Sequence, residues 1–206
     1  MIKMVLATGN QGKVREIAAY FEDAPIELVS QANFLKAPVD ETGETFVENA
    51  LLKARAASKA SGLSAMADDS GLVVPALGGI PGVKSARYGG PDATAKHRYM
   101  KLLTAMADLP EGQRGAYFHC ALVWLRHAKD PSPIVVQAQW HGEITVSPVG
   151  EGGFGYDPVF YVPTEGCTAA EMSDGRKNQI SHRGQAMQLF CPQLFAEFEL
   201  SHLHSL

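Results

Sequence analysis

Short apolar runs, each followed by a stretch of helical period, fill the first half of the chain, and long extended runs replace them in the second. Ile2 to Thr8 reads as a buried strand that stops at Gly9-Asn10, after which Val14, Ile17, Ala18 and Phe21 recur at helical spacing. Ile26 to Val29 gives a second short strand. The polar residues Asp40 to Glu44 lead to Thr45-x-x-Glu48, a capping-box pattern that opens an alanine-rich helix running to about Ala60, with Gly62 as its terminator. Leu63 to Ala67 is a third apolar run with Asp68 and Asp69 at its end. Gly78-Gly79-Ile80-Pro81-Gly82 has to be loop, and Asp92 is placed to cap a helix reaching about Asp108.

Ala116 to Leu125 and Ile134 to Val146 predict an antiparallel hairpin joined by Lys129-Asp130-Pro131-Ser132-Pro133. Both faces of Ala116 to Leu125 are largely apolar, which predicts a central strand covered on both sides. Tyr156 to Val162 predicts a further strand. From His182 a helical pattern runs through Met187 and Phe190, and Pro192 is expected to kink it or to start a new helix. Ser201 to Leu206 reads as a frayed end.

At 206 residues and 46% hydrophobic, the chain can bury one substantial core, and we read a single domain. A net charge of −4 and a pI near 6.0 exclude broad electrostatic adhesion to nucleic acid, so any anion site has to be local. Cys120, Cys167 and Cys191 are odd in number and widely spaced, with no C-x-x-C pair. They fit a reducing cytosol better than a disulfide framework or a zinc knuckle. No stretch reaches the roughly 20 apolar residues of a membrane span, and the expectation is a soluble, cytoplasmic protein.

The chemistry concentrates in a few places. Asp68-Asp69-Ser70-Gly71 sets two carboxylates and a hydroxyl after an apolar run, a setting that holds a metal or takes a proton. Magnesium needs only one or two carboxylates beside substrate phosphates, and Glu41 with Asp69 would meet that need. Neighbours in a strand point to opposite faces, so Asp69 is assigned to catalysis and Asp68 to a supporting or secondary metal role. Thr8-Gly9-Asn10-Gln11-Gly12-Lys13 joins a strand to a helix, where backbone N–H groups and Lys13 can receive phosphate oxygens. It is not a Walker A loop, and it serves equally as an ordinary βα turn. Phe46, Asn49 and Lys53 share one stripe of the alanine-rich helix, where Lys53 either faces a site or snorkels to solvent.

Gly150-Glu151-Gly152-Gly153-Phe154-Gly155 matches G-x-G-x-x-G but leads into Tyr156-Asp157-Pro158, with no helix to hold a pyrophosphate, so the dinucleotide reading is rejected. Its aromatic residues either face a flat ligand or join the core. Lys177 and Ser181-His182-Arg183 bring donors to the start of the last helix, for an anion or a carbonyl oxygen, while Ser181 also caps that helix.

In order, TGNQGKVREI, ETGETFVENALLKA, ADDSGL, GGIPGVKSARY, FHCALV, GEGGFGYDPVF and KNQISHRGQA resemble the inosine/xanthosine triphosphate pyrophosphatase family, from residue 2 to about 190. The resemblance implies an elongated α/β fold, with a mixed sheet flanked by helices and two lobes around a central cleft. It also implies a homodimer and magnesium-dependent cleavage of dITP, ITP and XTP to the monophosphate and pyrophosphate, which cleanses the nucleotide pool. By position, Thr8, Gly9, Asn10, Lys13 and Lys53 would hold the triphosphate. Glu41 and Asp69 would meet magnesium, with Asp69 also the general base, and Ser70 would touch the substrate. Phe154, Gly155, Tyr156 and Asp157 would line the base and sugar pocket, Lys177 would reach base or phosphate, and His182 and Arg183 would face the purine. Arg183 can only donate, which suits a 6-oxo acceptor and not the 6-amino group of adenine. A general nucleoside triphosphate phosphatase, a pyrophosphatase acting on modified pyrimidines and a nucleotide-sensing module without turnover are the rival readings.

Overall fold

The computed structural model describes residues 1–110 and 112–203, with side chains through Glu199. Seven strands form one sheet in the order β2-β1-β3-β4-β5-β6-β7: β1 (Ile2–Leu6), β2 (Ile26–Ser30), β3 (Ser64–Val73), β4 (Gly115–Leu125), β5 (Ile134–Ile144), β6 (Phe160–Val162) and β7 (Cys167–Thr168). β1 runs parallel to β2 and β3, whereas β6 is antiparallel to β5 and β7, so the sheet is mixed, as expected. The helices are α1 (Gln11–Ala18), α2 (Phe46–Ser61), α3 (Ala95–Ala105), α4 (Asp174–Ile180) and α5 (His182–Leu203).

Two compact units divide the chain, one of Met1–Asp69, Cys120–Ala138 and Gln185–Leu206, the other of Ser70–His119 and Gln139–Gly184. Each has its own core. Met4, Leu6, Ile17, Met66, Leu122 and Phe190 pack in the first, and Leu72, Leu102, Phe118, Trp140 and Phe160 in the second. β4 holds the middle of the sheet order and is buried without interruption from Cys120 to Leu125, which its two apolar faces predict.

Local signals explain most boundaries. The capping box forms: Thr45 Oγ1 accepts from Glu48 N at 3.3 Å, and the Glu48 carboxylate accepts from Thr45 N at 2.8 Å. α2 then presents Phe46, Ala50, Ala54 and Ala57 as its buried stripe and ends at Gly62. Leu6 pairs with Met66 in the β1–β3 register, so the turn after β1 lies level with Asp68.

Several assignments differ from the sequence reading. Asp68 and Asp69 sit inside β3 and not at its end, because Leu72 continues the apolar pattern into the second core. Thr94, not Asp92, caps α3, accepting from His97 N at 3.2 Å, and that helix stops at Ala105. Tyr156 to Val159 is not strand, since Asp157 turns back to accept from Phe154 N at 2.7 Å and begins a 3-10 turn. α4 and β7 have no counterpart in the sequence pattern. α5 runs through Pro192 as one helix, because Phe190 and Leu194 on either side are anchored in the first core while the proline faces solvent. Residues 201–203 continue α5, and the remainder of the expected frayed end, 204–206, lies outside the described residues.

Candidate active site

In the first unit, β3 and α2 bring the acidic and basic residues together. The Lys53 ammonium, one helical turn beyond Asn49, donates to Asp69 Oδ1 at 2.6 Å, to the Asp68 backbone carbonyl at 2.8 Å and to Glu41 Oε1 at 3.1 Å. Its side chain is 12% exposed, so the snorkelling alternative is discarded. Burial works to lower the Lys53 pKa, but the charges of Asp69 and Glu41 outweigh it and hold the ammonium above its ordinary value. Asp69 moves up as well, because burial dominates, with Lys53 and Lys13 opposing and Glu41 reinforcing. The two directions are compatible: one ammonium is divided among three oxygens, and Asp69 Oδ2 is buried with no hydrogen-bond partner among the described residues. The result is a carboxyl more basic than usual, with one oxygen committed to a cation and the other uncommitted.

Asp68, on the opposite face of β3, is fully buried. Its Oδ1 pairs with the Lys13 ammonium, and its Oδ2 accepts from the Cys120 thiol at 3.3 Å. The partition between the two neighbouring carboxylates is therefore as the alternation of a strand predicts. Both Asp68 oxygens are engaged by the protein, which fits a role in holding Lys13. Lys13 itself projects from the first turn of α1, whose cap is Asn10: its Oδ1 accepts from Gly12 N at 2.9 Å and Lys13 N at 3.4 Å. Asn10 N in turn donates to Thr8 Oγ1 at 3.2 Å, and Gly9 is exposed.

In the second unit, Arg183 at the start of α5 is 2% exposed and donates from Nη2 to Ser70 Oγ at 3.3 Å. Its guanidinium lies 5.9 Å from the Phe154 ring centroid, and the Lys177 ammonium lies 4.6 Å from the same ring. Lys177 also donates to Asp157 Oδ2 at 2.6 Å, the oxygen that accepts from Phe154 N. Asp157 therefore folds the glycine-rich segment and neutralises Lys177. Gly155 supplies a positive φ of 69° in the turn between Phe154 and Tyr156. Tyr156 takes the core alternative: its ring is buried in the second core, its hydroxyl donates to Ser85 O at 2.9 Å, and burial pushes its pKa up. The His182 ring stacks on Phe118, with centroids 4.8 Å apart and planes at 12°, and also runs near-parallel to Trp140. Ser181 caps α5 as expected, accepting from Gly184 N at 3.1 Å.

Sequence reasoning missed Cys120 as a donor to Asp68, and Phe118 and Trp140 as supports for His182. All three lie in strands whose apolar patterns give no sign of a polar partner. Among the described residues no three His, Cys, Asp or Glu side chains cluster as a metal cage. Glu41 and Asp69 still fit a hard cation, because both offer oxygen and Asp69 Oδ2 has no donor.

Residues 4–193 match the Ham1 family profile. The chain belongs to the Ham1 family. It is 56% identical to a dITP/XTP pyrophosphatase of Shigella flexneri and 55% identical to one of Escherichia coli K12, in each case over 94% of this chain and 98% of the relative. Among solved structures, the HAM1 protein of Coxiella burnetii matches with a TM-score of 0.89 at 44% identity, covering 95% of this chain and all of that one. A nucleoside-triphosphatase, dITP/XTP pyrophosphatase, of Mycobacterium abscessus matches at 0.76 and 38% identity, over 93% of this chain and all of that one. Membership places the acidic and basic groups described above in a setting where relatives are named for triphosphate chemistry. Among the described residues of this Ham1 member, no helix is long and apolar enough to cross a membrane.

Proposed function

We propose that this protein hydrolyses the non-standard purine triphosphates dITP, ITP and XTP to the nucleoside monophosphate and pyrophosphate, removing them from the nucleotide pool. The observation that carries the reading is the Lys53 cluster: a buried carboxyl raised by desolvation, its one oxygen on an ammonium and its other without a donor. Asp69 Oδ2 is the general base in this account. It takes a proton from water as the water oxygen bonds to phosphorus, and the bond to the leaving phosphate oxygen breaks. Lys53 and Lys13 supply positive charge for the phosphate oxygens, and the Thr8 to Asn10 turn offers backbone and hydroxyl donors.

Glu41 and Asp69 would hold magnesium, which supplies neutralisation of phosphate charge when bound. In the second unit, the Phe154 ring, its two cations, and His182 stacked on Phe118 suit a flat, electron-rich base carrying a 6-oxo acceptor. Arg183 has donors only and rejects the 6-amino group of adenine. The same reading carries a cytoplasmic homodimer, and light scattering of the purified protein checks the dimer. Turnover of ITP, XTP, GTP, ATP and dUTP with magnesium, with pyrophosphate and orthophosphate assayed separately, tests the whole. Orthophosphate as the product, or a preference for dUTP, would refute it, and a folded Asp69→Asn variant with normal turnover would remove the base.

A further inference from the structure

The geometry points to Asn49 as a positioning residue that sets Glu41 against Lys53, a role resting on the reading of Glu41 as a metal-holding carboxylate. Asn49 lies one turn before Lys53 on the same face of α2 and is fully buried. Its side chain does one identifiable thing: Oδ1 accepts from the Gly43 backbone N–H at 2.8 Å, two residues after Glu41. Its amide Nδ2 is buried with no hydrogen-bond partner among the described residues. A buried donor without an acceptor costs stability, and an aliphatic side chain of similar volume would avoid that cost. The position therefore keeps an amide at a disadvantage to the fold, and the Gly43 bond is the contact the amide makes possible.

The approach of the loop to the helix is close enough to exclude any side chain at 43. A Cβ there would lie 2.6 Å from Glu48 Cβ, 2.8 Å from Asn49 Oδ1 and 3.1 Å from Asn49 N. Gly43 and Asn49 are thus two halves of one lock. The capping box holds the next stretch of backbone, since Glu48 accepts from Glu44 N and Thr45 N. Residues 43–45 are consequently fastened to the first turn of α2, and Glu41, held at 3.1 Å from Lys53, can reach the cluster without ordering a free loop. The class of role is that of a residue behind a ligand, whose loss typically lowers metal affinity or activity roughly 10–100-fold.

A double-mutant cycle separates this from simple damage to the fold. Asn49→Ala is expected to lower kcat/KM for ITP by roughly 10–100-fold, and to weaken manganese binding, read by electron paramagnetic resonance with a non-hydrolysable ITP analogue, by a similar factor. In a Glu41→Gln background the same change is expected to cost less than about twofold further, because the group it positions is already gone. Losses that multiply in full across the two backgrounds overturn the role of Asn49. A Glu41→Gln variant with normal turnover and manganese affinity overturns the reading of Glu41 itself, and the proposal falls with it. If Asn49→Ala does not fold by circular dichroism, Gly43→Ala carries the cycle, since its methyl breaks the same bond from the loop side.

Discussion

Replacing Asp157 by Asn removes a charge and almost no volume, at a point where two donors meet. Asp157 Oδ2 accepts from the Lys177 ammonium at 2.6 Å and from Phe154 N at 2.7 Å, and the side chains of the ion pair are 4% and 5% exposed. Solvent therefore cannot take over as the partner of Lys177. Deleting one member of a buried pair costs about 3–5 kcal/mol, because the other charge stays buried and loses the carboxylate at 2.6 Å. Asparagine keeps a neutral acceptor, so the lower end, about 3 kcal/mol, is expected. Each core contains one tryptophan, Trp124 in the first and Trp140 in the second. A Trp124→Phe background accordingly lets urea unfolding, followed by Trp140 fluorescence, report on the unit that contains Asp157. The kcat/KM for ITP should fall with stability, since the same oxygen anchors the Phe154 turn. A loss below about 1 kcal/mol, the range of an exposed ion pair, would mean that Lys177 finds another partner and that the buried-pair reasoning is wrong.

Three other outcomes follow from local geometry. Gly184→Ala would set a Cβ 1.9 Å from Asn178 O, so α5 has to move off α4 at a cost of about 1–3 kcal/mol; His182 and Arg183 move with it, and unchanged kcat/KM for ITP would contradict their placement. Lys53→Ala is expected to raise KM for ITP about tenfold or more while leaving the ITP-to-GTP preference within about threefold, and a collapse of that preference would tie Lys53 to the base. Asp130 is held down to about 2: burial opposes ionisation, but hydrogen bonds from Arg126 and Ser132 outweigh it. A depressed carboxyl stabilises above its unfolded pKa near 4 and loses that contribution as pH falls toward about 2. Arg126 is 41% exposed, so Asp130→Asn should cost only about 1–2 kcal/mol at pH 7, with the difference in melting temperature shrinking at pH 2.5; an equal difference at both pH values would refute the assignment.

What could be read from the chain and what could not divides along the reach of each interaction. Thr45 and Glu48 state the start of α2 because both halves of the capping box lie within one turn, and the central position of β4 follows from residues that are all its own. α4 carries no such pattern, being seven residues with Asp174, Arg176, Lys177 and Asn178 among them, and it is fixed by the Ser173 cap and by the backbone contact with Gly184. Pro192 argued locally for a break, yet Phe190 and Leu194 are buried to either side, and tertiary packing overrode propensity. The site shows the same division. Alternation in a strand sufficed to part Asp68 from Asp69, but their partners depend on distant segments: Lys13 is 55 residues from Asp68, Cys120 is 52, and Lys53 is 16 from Asp69. Residue types therefore told which chemistry was present, while the β1–β3 register, Leu6 against Met66, brought Lys13 to Asp68 and the packing of α2 brought Lys53 to Asp69. Asn49 belongs to the second kind. It stood in the sequence beside Lys53 on an otherwise apolar stripe, and its bond to Gly43 exists only because the loop carrying Glu41 folds back onto the helix that carries Lys53.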